Sequence, residues 1–186
     1  MAEPLRGEVA ALVALQSVLA GRPAVLTAAR GLSHFGEHSL GWLAVSLLGA
    51  LSRPQRARVW LVAGAGALTA HAAAVLIKRL VRRQRPRHPA LAVNVDTPSR
   101  LSFPSAHATS TTAAAMLLAR ATGIPLPVVL VPPMALSRML LGVHYPSDVA
   151  GGVAVGAAVA ALTARVDGRE GGRAARRCSG LRGSAG

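Results

Sequence analysis

Three short groups of polar residues interrupt an otherwise apolar chain, and the first contains its single lysine. Lys78 is followed seven residues later by Arg85 and then by Pro86. If the helix continues to Arg85, both cations lie on one stripe with Arg82 between them, and Pro86 ends the helix. An ammonium and a bidentate guanidinium suit a phosphate dianion. A basic helix end at the lipid headgroups would use the same residues.

The second group is Pro104-Ser105-Ala106-His107, at the start of an apolar stretch. Ser105 is predicted to cap a helix there, so that its hydroxyl and the free amides of the first turn can bind an anion. His107 then stands in the first turn and faces the same anion. A lone histidine at this place is also common as an ordinary interfacial residue.

The third group is Ser137-Arg138, followed by His144 and Asp148. Arg138 is predicted to end one apolar helix, with Gly142 in the turn and Asp148 in the first turn of the next helix. A carboxylate in an apolar setting needs a partner, and His144, four residues earlier, is the obvious one. Asp148 could also cap its own helix.

Apolar helices must position these groups. Of the 186 residues, 52% are hydrophobic and only 3% aromatic, and the mean hydropathy is +0.42. Ala, Val, Leu and Gly therefore supply the apolar surface, which suits closely packed transmembrane helices better than a soluble core. Five stretches are long enough to cross or nearly cross a bilayer: 38–52, 57–80, 103–120, 124–141 and 148–166.

The chain divides into three parts. Residues 1–36 contain two weaker apolar segments, predicted as interfacial or partly embedded helices, and no cleavable signal peptide is expected because Glu3 and Glu8 spoil a basic start. Residues 37–166 form the membrane-embedded domain. Residues 167–186 form a basic tail that is predicted to be disordered near anionic headgroups. Cys178, the one cysteine, lies there and excludes an internal disulfide.

The net charge of +14 would suit nucleic acid or anionic lipid. We predict lipid and no nucleic-acid partner, because the positive charges lie between long apolar stretches rather than on one amphipathic face. Successive spans alternate in direction, so all three polar groups meet at one membrane face. The residues gathered there are Lys78, Arg85, Ser105, His107, Arg138, His144 and Asp148.

In order and spacing, these groups closely resemble the three-part signature of the type 2 phosphatidic acid phosphatase family, which is Lys-x6-Arg-Pro, Pro-Ser-Gly-His and Ser-Arg-x5-His-x3-Asp. The resemblance covers about residues 57–166. One position departs from the signature: Ala106 stands where the family has glycine. Alanine keeps the amide donor but removes some backbone freedom beside the phosphate.

The resemblance implies an all-α, multi-pass membrane bundle of about five or six helices that hydrolyses phosphomonoesters through a phosphohistidine. His144 would be the nucleophile, Asp148 would orient it, and His107 would act as acid and then as base. The family needs no metal or cofactor. The phosphate oxygens would be held by Lys78, Arg85, Ser105, the amide of Ala106 and Arg138.

The resemblance also bears on the substrate, which should be a lipid phosphate with its chain between helices. Small chains rich in arginine and alanine are similar to actinobacterial members of the family, which favours a polyprenyl-linked sugar phosphate of cell-wall synthesis. Polyprenyl diphosphate, phosphatidate and phosphatidylglycerophosphate remain open, as does the oligomeric state. A lipid phosphotransferase, a vanadate haloperoxidase and a non-enzymatic membrane scaffold are the rival classes.

The distribution of arginine predicts the orientation in a bacterial plasma membrane. Without the three phosphate-binding cations, five basic residues flank the active face and ten lie on the opposite face and in the tail. The positive-inside rule then places the tail in the cytoplasm and the active site on the extracytoplasmic side.

Overall fold

The computed structural model describes the backbone of residues 7–183 and the side chains of residues 7–169. Within that range the chain forms seven α-helices and two 3-10 turns, Glu37–Ser39 and Pro54–Arg56. The helices are α1 (Gly7–Leu19), α2 (Pro23–Gly36), α3 (Leu40–Ser52), α4 (Ala57–Val81), α5 (Ala106–Thr122), α6 (Leu126–Leu140) and α7 (Pro146–Gly183). Extended pairing in the same range is limited to an isolated bridge between Gln84 and Leu101.

Each of the five predicted apolar stretches overlaps one of the helices α3 to α7, which confirms the all-α bundle. Among the described residues, two segments are long and apolar enough to cross a bilayer by themselves, Pro54–Val81 and Pro146–Arg169. Large apolar side chains cover the outside of the bundle, where lipid can contact them. Those more than half exposed include Leu47, Leu76, Leu80, Val128 and Leu162.

Helix α5 lies at the centre and packs against α4, α6 and α7. It is built from alanine, serine and threonine, and Ala113, Ala114 and Ala115 are completely buried. The hydroxyls of Thr109 and Thr112 donate to carbonyl oxygens of the preceding turn at 2.8 Å, so these polar groups are satisfied within the helix. Small, internally satisfied side chains allow the neighbouring helices to approach closely.

Helix α7 approaches the backbone of α5 closely, through two glycines. A Cβ atom at Gly156 would lie 2.3 Å from the carbonyl oxygen of Thr109, and one at Gly152 would lie 2.7 Å from that of Ser105. The first turns of the two helices therefore touch, and the Ser105 N–H donates to the carbonyl oxygen of Asp148 at 2.9 Å. This contact places the second and third polar groups side by side.

Helix α4 ends at Val81, before the predicted end at Pro86. Arg82 adopts a left-handed backbone conformation with φ 55°, and its N–H closes the helix on the carbonyl oxygen of Lys78. The prediction that Lys78 and Arg85 share one helical stripe with Arg82 between them is therefore wrong.

The segment after α4 pairs with the segment before α5 instead of continuing the helix. The Ser102 N–H donates to the carbonyl oxygen of Arg83 at 2.8 Å, and the Arg85 N–H donates to that of Arg100 at 3.2 Å. These long-range hydrogen bonds satisfy backbone groups that would otherwise have to be paired within a helix. Arg85 thus reaches the end of the bundle from a loop.

The N-terminal helices agree with the sequence prediction, and the backbone of the C-terminal tail differs from it. α1 and α2 are separate helices that break at residues 20–22, as predicted, and both contact α6; an interfacial position for them stays a prediction. Helix α7 continues to Gly183, where the sequence predicted disorder from Asp167 onward. Cys178 lies where side chains are not described.

We expect Gly156→Ala to destabilise the bundle, because the added methyl group would collide with the backbone of α5. Overpacking of this kind costs about 1–3 kcal/mol. Gly168→Ala is the matched control: it lies in the same helix, and a Cβ there meets nothing within 4 Å. Thermal unfolding in detergent should show a lower midpoint for the first variant and an unchanged or higher one for the second. A wild-type midpoint for Gly156→Ala would contradict the described α5–α7 contact.

Candidate active site

A cavity of about 720 Å³ opens at the end of the bundle where α4 and α6 end and α5 begins. The predicted site residues that line it are Lys78, Arg85, Ala106, His107, Arg138 and His144. Ser105 and Asp148 are completely buried beside these residues and support them. The structure therefore brings all eight predicted residues to one place.

His144 lies in the loop before α7 and is 2% exposed. Its Nε2 atom is 3.2 Å from Nη1 of Arg85. A guanidinium can only donate, so Nε2 accepts and the ring proton is assigned to Nδ1. Burial, and then the charge of Arg85, hold the pKa of His144 well below its ordinary value. The ring is therefore neutral at pH 7 and has a lone pair on Nε2.

Asp148 lies behind His144, as predicted, but the contact between them is long. Its Oδ2 is 3.7 Å from Nδ1 of His144, beyond ordinary hydrogen-bond length. The same oxygen accepts from the backbone N–H of Tyr145 at 2.8 Å, and Oδ1 accepts from Nη1 of Arg83 at 3.0 Å. Nδ1 of His144 has no hydrogen-bond partner among the described residues. A small shift of the ring would let it donate to Asp148.

Arg83 and Glu8 belong to this site although the sequence did not predict them. Nη2 of Arg83 contacts Oε2 of Glu8 at 2.6 Å, and its guanidinium stacks 4.2 Å from the ring centroid of Tyr145. The other oxygen of Glu8 accepts from the backbone N–H of Ser147 at 2.7 Å. The first helix thus holds the arginine that contacts Asp148. Glu8 lies 75 positions before Arg83 and 139 before Ser147, so no local sequence pattern indicates these contacts.

Three cations face the cavity, and backbone oxygens hold two of them. Nζ of Lys78 donates to the carbonyl oxygens of Leu101 and Ser102 at 3.2 and 2.9 Å. Arg85 donates to the carbonyl oxygens of Ser99 and Val143 at 2.8 and 2.7 Å. Burial lowers the pKa of Arg85 to about 10, which leaves it charged at neutral pH.

Arg138, the third cation, is 2% exposed and donates to the hydroxyl of Ser33 at 2.7 Å. Its Nε is buried and has no partner within the described part of the chain. None of the three cations is neutralised by a direct ion pair with a carboxylate in the described structure, so the cavity keeps an excess of positive charge. Such a cavity binds an anion.

The start of α5 has the predicted geometry. Ser105 is the N-cap, and its hydroxyl accepts from the N–H of Ala108 at 3.5 Å. His107 lies in the first turn, and its Nε2 is 2.9 Å from the carbonyl oxygen of Ser33. A Cβ at Gly36 would lie 2.6 Å from the His107 ring, so α2 can approach only because this residue is glycine. Through Ser33, α2 therefore contacts both His107 and Arg138.

Within residues 7–169, no three histidine, cysteine or acidic side chains come together as metal ligands do. The cations and the helix amides of α5 instead supply positive charge where a phosphate would lie.

Comparison with known proteins agrees with this arrangement. Residues 58–171 match the PAP2 superfamily. The chain is 78% identical over 149 residues to a decaprenylphosphoryl-5-phosphoribose phosphatase of Mycobacterium tuberculosis, covering 80% of this chain and 84% of the relative. It is 69% identical over 152 residues to a protein of the same name from Mycolicibacterium smegmatis, covering 82% and 84%.

The fold has a counterpart among solved structures. A transmembrane PAP2-type phosphatidylglycerolphosphate phosphatase from Bacillus subtilis superposes with a TM-score of 0.67 at 20% identity, covering 86% of both chains. This likeness concerns the fold, and the family match and the two close relatives concern the sequence. Together with the helical bundle and its three polar groups, these matches show that the chain is a membrane protein of the PAP2 superfamily and a lipid-phosphate phosphatase.

Proposed function

We propose that this chain hydrolyses the 5-phosphate of decaprenylphosphoryl-5-phosphoribose, through a phosphohistidine on His144. The observation that carries the reaction is the neutral His144, with its Nε2 lone pair directed at the half-buried cation Arg85 in the cavity. The substrate is supported by the two mycobacterial relatives, which are 78% and 69% identical and bear that name.

In the first step Nε2 of His144 attacks phosphorus. The P–N bond forms as the bond to the sugar oxygen breaks, and His107 gives a proton to that oxygen. The imidazolium that develops on His144 is stabilised by Asp148, toward which Nδ1–H turns. Lys78, Arg85 and Arg138 hold the equatorial oxygens, where charge collects in the transition state.

In the second step water attacks the phosphohistidine. His107, which is now deprotonated, takes a proton from the water, the P–N bond breaks, and inorganic phosphate leaves. Because Nε2 of His107 contacts the carbonyl oxygen of Ser33, proton exchange with the substrate falls to Nδ1. Ser33 thereby sets the ring orientation that both steps need.

The active site belongs on the extracytoplasmic side in this proposal. The excess of arginine on the opposite face and in the tail, ten residues against five, supports a cytoplasmic tail. The exposed outer leucines and valines support a position within the bilayer. The lipid chain would leave the cavity sideways, with the phosphate at headgroup level.

A phosphate-release panel tests the substrate and the reaction together. Purified protein in detergent is given a short-chain polyprenylphosphoryl-5-phosphoribose, a polyprenyl diphosphate, phosphatidate and phosphatidylglycerophosphate, with and without EDTA. We expect the fastest release from the first lipid and no effect of EDTA. Faster release from another lipid would overturn the substrate, and a strict need for added magnesium would overturn the mechanism. Product analysis with added glycerol separates hydrolysis from phosphotransfer.

We expect Lys78→Ala, Arg85→Ala and Arg138→Ala each to lower kcat/KM by roughly 10²–10³, or about 2–4 kcal/mol, as loss of an oxyanion donor does. Arg87→Ala, which lies outside the cavity lining, is the control. Arg79→Ala, which lines the cavity but does not match the phosphate-binding pattern, should also cost little. Steady-state kinetics on the preferred lipid measures the difference. Equal losses in all five variants would indicate that bulk positive charge is responsible.

The two histidines should fail differently. With a good leaving group such as p-nitrophenolate, His107→Ala should keep part of its first step and accumulate an acid-labile phosphoenzyme, because it lacks the base for the second step. His144→Ala should form none. Trapping of radiolabelled phosphate after a rapid quench measures both. Label on His144→Ala protein and none on His107→Ala protein would reverse the two roles.

A further inference from the structure

The cavity has a second polar wall that the phosphate chemistry leaves unused. Glu37, His38 and His71 line it, and we name these three residues the rim cluster. The volume of about 720 Å³ is that of a pocket for a whole small molecule rather than for a phosphate alone. The rim cluster therefore borders space that the rest of the substrate must fill.

His71 belongs to the same face of α4 as Lys78. Seven residues separate them, almost two turns, which place them about 10 Å apart along the helix. Nδ1 of His71 is buried and has no hydrogen-bond partner among the described residues. An unpaired buried polar atom beside a cavity costs free energy unless a ligand satisfies it.

The turn after α2 carries the other two members of the rim cluster. His38 and the buried Ser39 have positive φ, 49° and 61°, a left-handed conformation that side chains other than glycine rarely adopt. Strain of this kind persists where the surrounding structure imposes it, commonly at ligand sites. Here it holds the His38 ring with its centroid 5.9 Å from that of His71.

We propose that the rim cluster binds the hydroxyl groups of the sugar that bears the scissile phosphate. A carboxylate accepts from hydroxyls, and a histidine nitrogen can accept from or donate to them. The negative charge of Glu37 disfavours an anion at the rim itself, so the rim cluster suits the neutral ribose ring rather than the phosphodiester that links this ring to the polyprenyl chain. The rise of about 10 Å between His71 and Lys78 along α4 leaves room for a pentose ring between the phosphate and the rim cluster. This proposal rests on the proposed function.

Paired substrates test the proposal with wild-type protein and the variants His71→Leu and Glu37→Gln. One substrate is the short-chain polyprenylphosphoryl-5-phosphoribose, and the other is its 2,3-dideoxy analogue. His88→Leu, which removes a histidine outside the cavity lining, is the control. We expect both rim variants to lose tenfold or more in kcat/KM on the ribose substrate but less than twofold on the dideoxy analogue. Wild-type protein should prefer the ribose substrate by a similar factor.

The outcomes separate two kinds of failure. Equal losses on both substrates, or losses as large in His88→Leu, would overturn the rim cluster as a sugar site while leaving the proposed function intact. Wild-type protein that releases phosphate from phosphatidate but from neither phosphoribosyl lipid would overturn the proposed function, and the sugar site with it. Because each variant is compared with itself on two substrates, partial misfolding cannot imitate the expected result.

Discussion

The burial of positive charge within an apolar bundle is the constraint on which the rest of this structure depends. Lys78, Arg85 and Arg138 lie in or beside a cavity at the end of the bundle, and their nearest partners are carbonyl oxygens and a hydroxyl rather than carboxylates. Such dipoles lower the cost of desolvation without cancelling the charge. Full ion pairs would have made the site more stable when empty and poorer at binding phosphate. The positive charge of Lys78, Arg85 and Arg138 therefore remains available to bind the phosphate of the substrate.

Asp148, the carboxylate that the proposed mechanism needs, is hydrogen-bonded to groups other than the phosphate-binding cations. If it paired with a phosphate-binding cation, it would weaken the attraction for the substrate. Arg83 and the N–H of Tyr145 donate hydrogen bonds to it instead. Its charge is thus balanced locally, while Oδ2 stays close enough to His144 to stabilise an imidazolium when one forms.

The features that could be predicted from the sequence are those with a local or periodic signal. Apolar stretches mark the five helices α3 to α7, and fixed spacings mark the eight site residues that meet at the cavity. The early end of α4 could not be predicted, because long-range backbone pairing with the segment before α5 decides it. The roles of Ser33, Arg83 and Glu8 in the site could not be predicted either. They depend on tertiary contacts between residues far apart in the sequence, for which the sequence has no local or periodic pattern.

Glu8 links α1 to the first turn of α7. It accepts from the backbone of Ser147, 139 positions later, and pairs with Arg83 between them. Helix α1 is synthesised before α7, so the Glu8 carboxylate lacks its Ser147 partner until α7 begins to emerge. The hydrogen bonds that join Glu8, Arg83 and Asp148 can therefore form only after helices α1 to α6 have been synthesised. A nascent chain that ends before α7 holds the histidine and the cations without the Glu8–Ser147 contact, so assembly of the catalytic end is coupled to the synthesis of α7.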